Sequence, residues 1–365
     1  MARPQLRDDL ALVEGYHSAQ VDVSVRLNTN EAPEPPPPGF TEALLTAARG
    51  VAWHRYPDRG ATALRARIAE LESTPVRSFT ARQVLAANGS NEVLQSLSLA
   101  YGGAGRVALT FEPTYALHAH ISRVCGTQVV EVDRSEDFTL DVDLAVEAID
   151  RERPALVFLC SPNNPTGRVE EPETVAALAD AVERVDGLLV VDEAYGQFAS
   201  WSALELIDDD RSVVVTRTFS KTWSAAALRL GYLVGPAWLV ADVEQVVLPY
   251  HLDALTQLAG TVALDFEHDM RARVAAIVAE RERLVAGLDD LGVTRWPSGA
   301  NFVLFRPGAP DAEAGTRVWQ GLVERSVLVR DCSSWPRLAG CLRVTVGTPA
   351  ENDAFLAALG EVCSP

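Results

Sequence analysis

Lysine is almost missing from this chain. Of its 32 basic residues one is a lysine, Lys221, and the other 31 are arginines. Lysine is normally among the commonest residues. A chain that uses arginine wherever it wants a positive charge has kept one amine for a reason that charge alone does not supply. An excess of positive charge is missing too: the formal net charge is −18. No basic stripe is left to neutralise phosphates, which argues against a nucleic-acid partner and leaves a solvated acidic surface as the plain reading. No run approaches about 18 apolar residues without a charge, so no membrane span is expected. The start, MARPQLRDDL, has no hydrophobic signal core. The five cysteines, at 125, 160, 332, 341 and 363, form no CxxC and no Cys/His cluster at metal spacing. No metal is expected, and the default is buried, reduced thiols in a cytoplasmic protein.

What the chain does have is apolar substance and order. Hydrophobic residues make up 48% of 365 residues, enough for a large core and about two domains. Residues 1–39 read as irregular and end in PEPPPPG, an extended linker that can be neither helix nor central strand. From about 40 the texture alternates. Apolar β-rich runs at 84–87, 106–110, 127–132, 155–160, 188–192 and 212–216 are separated by helical patterns such as 173–185. Continuous apolar strands between helices imply a mostly parallel sheet covered on both faces, an α/β fold. After about 250 comes one long helical segment over roughly 256–291, then strands at 301–305, 326–329 and 341–346, a helix near 313–325 and a last helix from about 350. The reading is a large α/β domain over 40–250. A smaller α+β domain takes 251–365 together with the 1–39 arm.

In open α/β sheets ligands bind beyond the carboxyl ends of strands. Five unusual clusters fall there. Asn88-Gly-Ser-Asn-Glu92 follows the first run and opens a helix, where Ser90 and Asn91 amides could meet an anion; an ordinary helix cap explains it equally. Ser161-Pro-Asn-Asn-Pro-Thr-Gly167 stiffens a loop and presents Asn164 at the sheet edge; alone, it could be a plain turn. Asp192-Glu-Ala-Tyr195 ends a very apolar strand, where a buried carboxylate needs a partner. A protonated heterocyclic nitrogen would serve, and so would backbone amides. Tyr115 follows the 106–110 run and can stack on a ligand ring or fill core. Finally Arg217-Thr-Phe-Ser-Lys221 sets hydroxyls beside the sole lysine, with Arg229 eight residues on. A lysine among Phe, Trp and Ala is desolvated, which lowers its pKa and exposes a neutral nucleophilic amine. Arginine stays protonated and cannot do this chemistry. The clusters converge on a ligand with a phosphate, a basic ring nitrogen, a ring oxygen and an aldehyde, which is pyridoxal phosphate.

With these motifs in view the chain resembles the fold-type I pyridoxal-phosphate aminotransferases over nearly its whole length. Further markers are LNTNEAP (27–33), HRYPD (54–58), FEPTY (111–115), LPYHLDALTQ (248–257), VLVRD (327–331) and CLRVTVGT (341–348). The resemblance implies a large domain with a seven-stranded, mostly parallel sheet. It implies that Lys221 binds the cofactor covalently and moves the proton, Asp192 pairs with the ring nitrogen, and Asn164 and Tyr195 bond the ring oxygen. Tyr115 would stack on the ring, with Ser90, Asn91, Ser220 and Arg229 on the phosphate. Tyr56 would reach the cofactor phosphate of a neighbouring subunit, which implies a homodimer. Arg343 would bind an α-carboxylate through a bidentate fork, and Arg330, with Tyr16 or Asn30, would face a substrate phosphate. The implied substrates are small molecules: histidinol phosphate with glutamate and 2-oxoglutarate. The same motifs are compatible with transamination of phenylalanine. A phosphoamino-acid decarboxylase and an inactive binding protein are lesser readings. Ala32 and Ala227 replace the asparagine and glycine that the family often carries, and the proline run is longer than the family's.

Overall fold

The computed structural model describes residues 21–363 together with residues 4, 5, 7 and 10. Its strands in chain order are β1 (Val25–Leu27), β2 (Val84–Ala87), β3 (Val107–Glu112), β4 (Gln128–Asp133), β5 (Leu156–Cys160), β6 (Leu188–Asp192), β7 (Val213–Thr218), β8 (Gly231–Val234), β9 (Thr294–Arg295), β10 (Phe302–Arg306), β11 (Val327–Asp331) and β12 (Leu342–Thr345). They form two sheets. Seven strands line up as β2-β8-β7-β6-β5-β3-β4, and five as β1-β11-β12-β10-β9.

In the large sheet β4, β3, β5, β6 and β7 are parallel, and β8 alone runs against its neighbours. Every residue of β5, β6 and β7 is buried. Alternate residues serve different layers, as the two-residue period of a strand requires. Val157 and Leu159 of β5 join one hydrophobic core, and Leu156 and Phe158 join the other. That is why these strands read as unbroken apolar runs. The register sets Cys160 beside Asp192 and Asp192 beside Thr216. The loops opening at 161, 193 and 219 therefore emerge side by side at one edge.

The small sheet packs on the helices Glu267–Asp290, Ala312–Glu324 and Pro349–Cys363 through a third core. The expected irregular arm contains a strand. Short β1 pairs in parallel with β11 and anchors the arm to this sheet; three residues are too few for a periodic signal.

Two further expectations change. The helical segment of 256–291 is two helices, Ala254–Ala263 and Glu267–Asp290. The apolar residues that follow 250 do not join the small sheet at once. Leu252, Val262, Leu264 and Met270 lie in the large sheet's core, and the small sheet's core begins with Ile277. Gly260 shows how close that packing is, since a Cβ there would stand 2.5 Å from Leu230 and 2.9 Å from Leu64. The passage from one core to the other falls inside the long helix. Amphipathic spacing fixes which face of a helix is buried but not against which sheet. The cysteines also divide: Cys160, Cys332 and Cys341 are buried thiols, whereas Cys125 and Cys363 are half-buried. Among the described residues no helix is long and apolar enough to cross a membrane.

Candidate active site

A cavity of about 240 Å³ opens where the carboxyl ends of the large sheet meet β12 and the arm. Lys221, Asp192, Tyr195, Asn164, Tyr115, Ser90, Asn91, Ser220, Arg229, Asn30 and Arg343 all line it. Eleven residues picked from sequence, spread over more than 300 positions, meet at one place.

The floor is built by strand ends. Asp192 closes β6 and is 2% exposed. Its Oδ2 lies 2.8 Å from His118 Nε2, and its Oδ1 accepts from the Ala194 amide at 3.1 Å and from Thr216 Oγ1 at 3.3 Å. A carboxylate offers about four acceptor positions, so one remains for a donor in the cavity. His118 is held in turn, its ring stacked on Phe158 at 5.1 Å and meeting Tyr115 edge-on at 5.4 Å. Sequence reasoning missed His118. Its signal was faint, a histidine three residues beyond Tyr115 on the buried side of a short helix.

Beneath the floor Arg217 of β7 binds Glu72 and Glu193, each at 2.7 Å, and Tyr232 donates to Glu72. All four are buried. Breaking such a network strands a charge in a dry interior, so it pins the ends of β6 and β7 together.

The anion cradle joins two distant segments. Gly89, at φ 83°, precedes the helix Ser90–Tyr101, whose first amides have no partner within the helix. Gly231, the first residue of β8, passes directly beneath: a Cβ there would stand 2.2 Å from the Ser90 nitrogen. Gly89 lies just as close to Arg229, since its own Cβ would stand 2.8 Å from Nη2. Arg229 Nη1 reaches Ser220 Oγ at 3.5 Å, and Ser220 is tied to Thr218 Oγ1 at 3.0 Å. Helix amides, a hydroxyl and a guanidinium thus converge, the donor set a phosphate needs. Arg229 takes a left-handed backbone, φ 49°, a strained state for an arginine of the kind that clusters at functional sites.

Lys221 leaves this loop with its stem along the cavity. Its Nζ donates to the Thr29 carbonyl at 3.0 Å and lies 6.0 Å from the Tyr195 ring centre. Burial lowers its pKa to about 8, and the Arg343 and Arg229 charges act in the same direction against Glu31. A sizeable neutral fraction therefore exists near neutral pH.

The roof comes from the small sheet. Arg343 of β12 is buried over the Phe302 ring at 5.1 Å, donates Nη2 to the Asn28 carbonyl at 3.0 Å and Nη1 to Asn164 Oδ1. That last bond turns the Asn164 NH2 group into a donor for the cavity. Tyr195 is prepared similarly. Its oxygen accepts from Asn30 Nδ2 at 2.9 Å, and burial pushes its pKa up to about 12, so its proton stays in place to be donated. Asn30 itself also bonds Thr345 through its backbone and side chain. Its amide is engaged with Tyr195 rather than extended to a substrate.

Three expected residues lie elsewhere. Tyr56 is 79% exposed and stacks on Tyr250 at 4.5 Å, so it does not serve this chain's own cavity. Arg330 lies outside the cavity lining, cross-strand from Arg343. Tyr16 lies outside the described residues.

The parts fit pyridoxal phosphate. There is an amine able to lose its proton, a buried carboxylate with a free acceptor position, two donors for a ring oxygen and a phosphate cradle. The comparisons agree with the geometry. The model of the family described as "Aminotransferase class I and II" matches residues 23–359, and the chain belongs to that family. Within it, the chain is 48% identical to the histidinol-phosphate aminotransferase of Frankia casuarinae, over 97% of this chain and 89% of that one. It is 44% identical to the enzyme of the same name from Mycolicibacterium smegmatis, over 98% and 93%. The solved histidinol-phosphate aminotransferase of Sinorhizobium meliloti, in complex with pyridoxal-5'-phosphate, superposes with a TM-score of 0.84 at 26% identity, covering 93% of this chain and 91% of that one.

Proposed function

We propose that the chain is a pyridoxal-phosphate-dependent transaminase. It moves the amino group of L-histidinol phosphate to 2-oxoglutarate, giving imidazole acetol phosphate and glutamate, a step of histidine biosynthesis. The observation that carries this reading is the enclosed Lys221 amine facing Asp192 under Arg343. The cofactor, when bound, supplies an electron sink that stabilises negative charge developing at the substrate Cα.

The chain's own residues do the rest. Lys221 Nζ, with its pKa lowered to about 8, would be the neutral amine that holds the cofactor at its aldehyde carbon. The same amine is the base that would carry the substrate's Cα proton. Asp192 would accept a hydrogen bond from a protonated ring nitrogen and so favour that protonation state. Tyr195 and Asn164 would donate to a ring oxygen of the cofactor. Ser90, Asn91, Ser220 and Arg229 hold the phosphate, and Tyr115 covers the ring. Arg343 takes the α-carboxylate of glutamate. Arg330 takes the phosphate of histidinol phosphate, with Tyr16 as a further candidate contact. Two arginines suit a site that must accept two differently charged donors.

Trp53, Tyr56, Leu248, Tyr250 and Leu255 are all exposed, and the Tyr56 and Tyr250 rings stack into one apolar surface. A second copy covering it would bring Tyr56 to the neighbour's cofactor phosphate, so the working unit is a homodimer. Its setting is the cytoplasm, where free thiols persist.

A half-reaction assay tests the substrate. The cofactor's absorbance should convert with histidinol phosphate at a much higher kcat/KM than with phenylalanine; the reverse order would make the chain an aromatic transaminase. Borohydride reduction should fix the cofactor on Lys221. Intact mass would show one adduct, and Lys221→Ala would lose it.

A further inference from the structure

Two arginines stand face to face at the roof. Arg330 of β11 and Arg343 of β12 are direct partners across an antiparallel ladder, so both side chains leave the same face of the small sheet. Like charges directly opposite destabilise a sheet. The fold sets each guanidinium on its own aromatic ring. Arg343 lies over Phe302 at 5.1 Å and Arg330 over Trp335 at 5.2 Å. Phe302 is fully buried at the core of the small sheet. Trp335 is half-buried, packed against the cluster of Phe138, Trp296, Leu304, Cys332, Leu338 and Cys341.

The loop that carries Trp335 is tightly made. The Trp335 amide donates to the Cys332 carbonyl at 2.9 Å, Leu338 to Trp335 at 3.1 Å and Cys341 to Leu338 at 2.8 Å. Arg337 ties the same loop to the large domain through Asp133 and the Arg134 carbonyl. A ring held this firmly, one face under a guanidinium, fixes where a second positive charge can stand.

We propose that Trp335 is the positioning residue for Arg330. It draws the guanidinium away from Arg343 and holds it as a separate seat for the substrate's phosphate, so that the two anions are read at two places. Trp335 touches neither substrate nor cofactor; it acts through Arg330. The proposal rests on Arg330 being the phosphate contact.

The experiment uses the holoenzyme and four variants. Trp335→Leu keeps apolar bulk and removes the π face. It should raise the KM for histidinol phosphate about fivefold, the size of a partly exposed cation–π contact, and leave kcat and the KM for glutamate unchanged. Trp335→Phe should restore most of the loss, since a phenyl face also attracts a cation. In an Arg330→Ala background Trp335→Leu should add nothing, because the ring would have no charge left to place. Equal rises for both substrates, an additive double mutant or no rescue by Trp335→Phe would overturn the proposal and make Trp335 a packing residue. If Arg330→Ala alone left the histidinol phosphate KM unmoved, the phosphate reading itself would fall and the positioning role with it. If Arg330→Ala raised that KM and Trp335→Leu did not, only the positioning role would fall.

Discussion

The floor and the roof of the cavity handle charge in opposite ways. On the floor the protein pairs its own groups: Arg217 faces Glu72 and Glu193, and Asp192 is hydrogen-bonded to His118. At the roof Arg343 makes no ion pair among the described residues; a carbonyl, an amide oxygen and a ring hold it. Saturated charges make a rigid platform. Charges held by dipoles keep most of their field for a ligand, at the expense of stability in its absence. The difference teaches where binding energy is directed: the floor fixes a resident group, and the roof waits for visitors that come and go.

Changes that separate the two regions can be ordered by size. Lys221→Arg should abolish turnover with the circular dichroism unchanged, because a permanently protonated guanidinium cannot act as the amine; retained activity would overturn the assignment. Arg217→Met should cost about 3–5 kcal/mol of stability by stranding two buried carboxylates, read as a shift in the urea midpoint. Arg343→Gln should instead leave stability nearly untouched and lower kcat/KM for glutamate about 100-fold, the loss of a charge-assisted fork. If those two swapped their effects, the contrast between floor and roof would collapse. His118→Phe keeps the stack on Phe158 and removes the bond to Asp192. A drop in kcat of about tenfold is expected, the weight of one hydrogen bond to a charged group, with a changed pH dependence of the bound cofactor's spectrum.

The smallest effect is a titration. With one lysine, an amine-reactive probe on the apoprotein reports Lys221 once the N-terminus is blocked. Labelling should rise with pH and level off above about 8, since only the neutral amine reacts. In Arg343→Gln the midpoint should move up, because a neighbouring positive charge that disfavours the ammonium is gone. The sign for stability follows. Between about 8 and the ordinary 10.5 the unfolded chain holds a proton that the folded chain has released. Lys221 therefore favours folding more as pH rises through that window.

The sequence made the floor legible and left the roof half-read. Asp192, Lys221 and Asn164 stand at the ends of apolar strands, where position in a parallel sheet implies convergence. Arg343 was visible as a charge inside a β run. His118 was not, because a histidine on a short helix looks like many others until its partner is seen. The role of Asn30 as a brace for Tyr195 depends on a left-handed backbone, φ 55°, that no spacing announces. Trp335 carries no signal in the sequence, and Tyr56 needs a second copy to have any site at all. The cores beyond 250 are hard to assign for a related reason: a sequence shows that Leu252 and Met270 are apolar, not which sheet they cover.

The antiparallel strand β8 has a consequence for the order of events in folding. It lies between β2 and β7 and sets Gly231 beneath Ser90, residues far apart in sequence. Contacts of that kind form slowly, because a long stretch of chain must close before they repay its lost entropy. The cradle for the phosphate is thus complete only when both edges of that closure have met. Cofactor capture would mark the end of assembly rather than guide its beginning, and a bound cofactor would then stabilise only chains already finished.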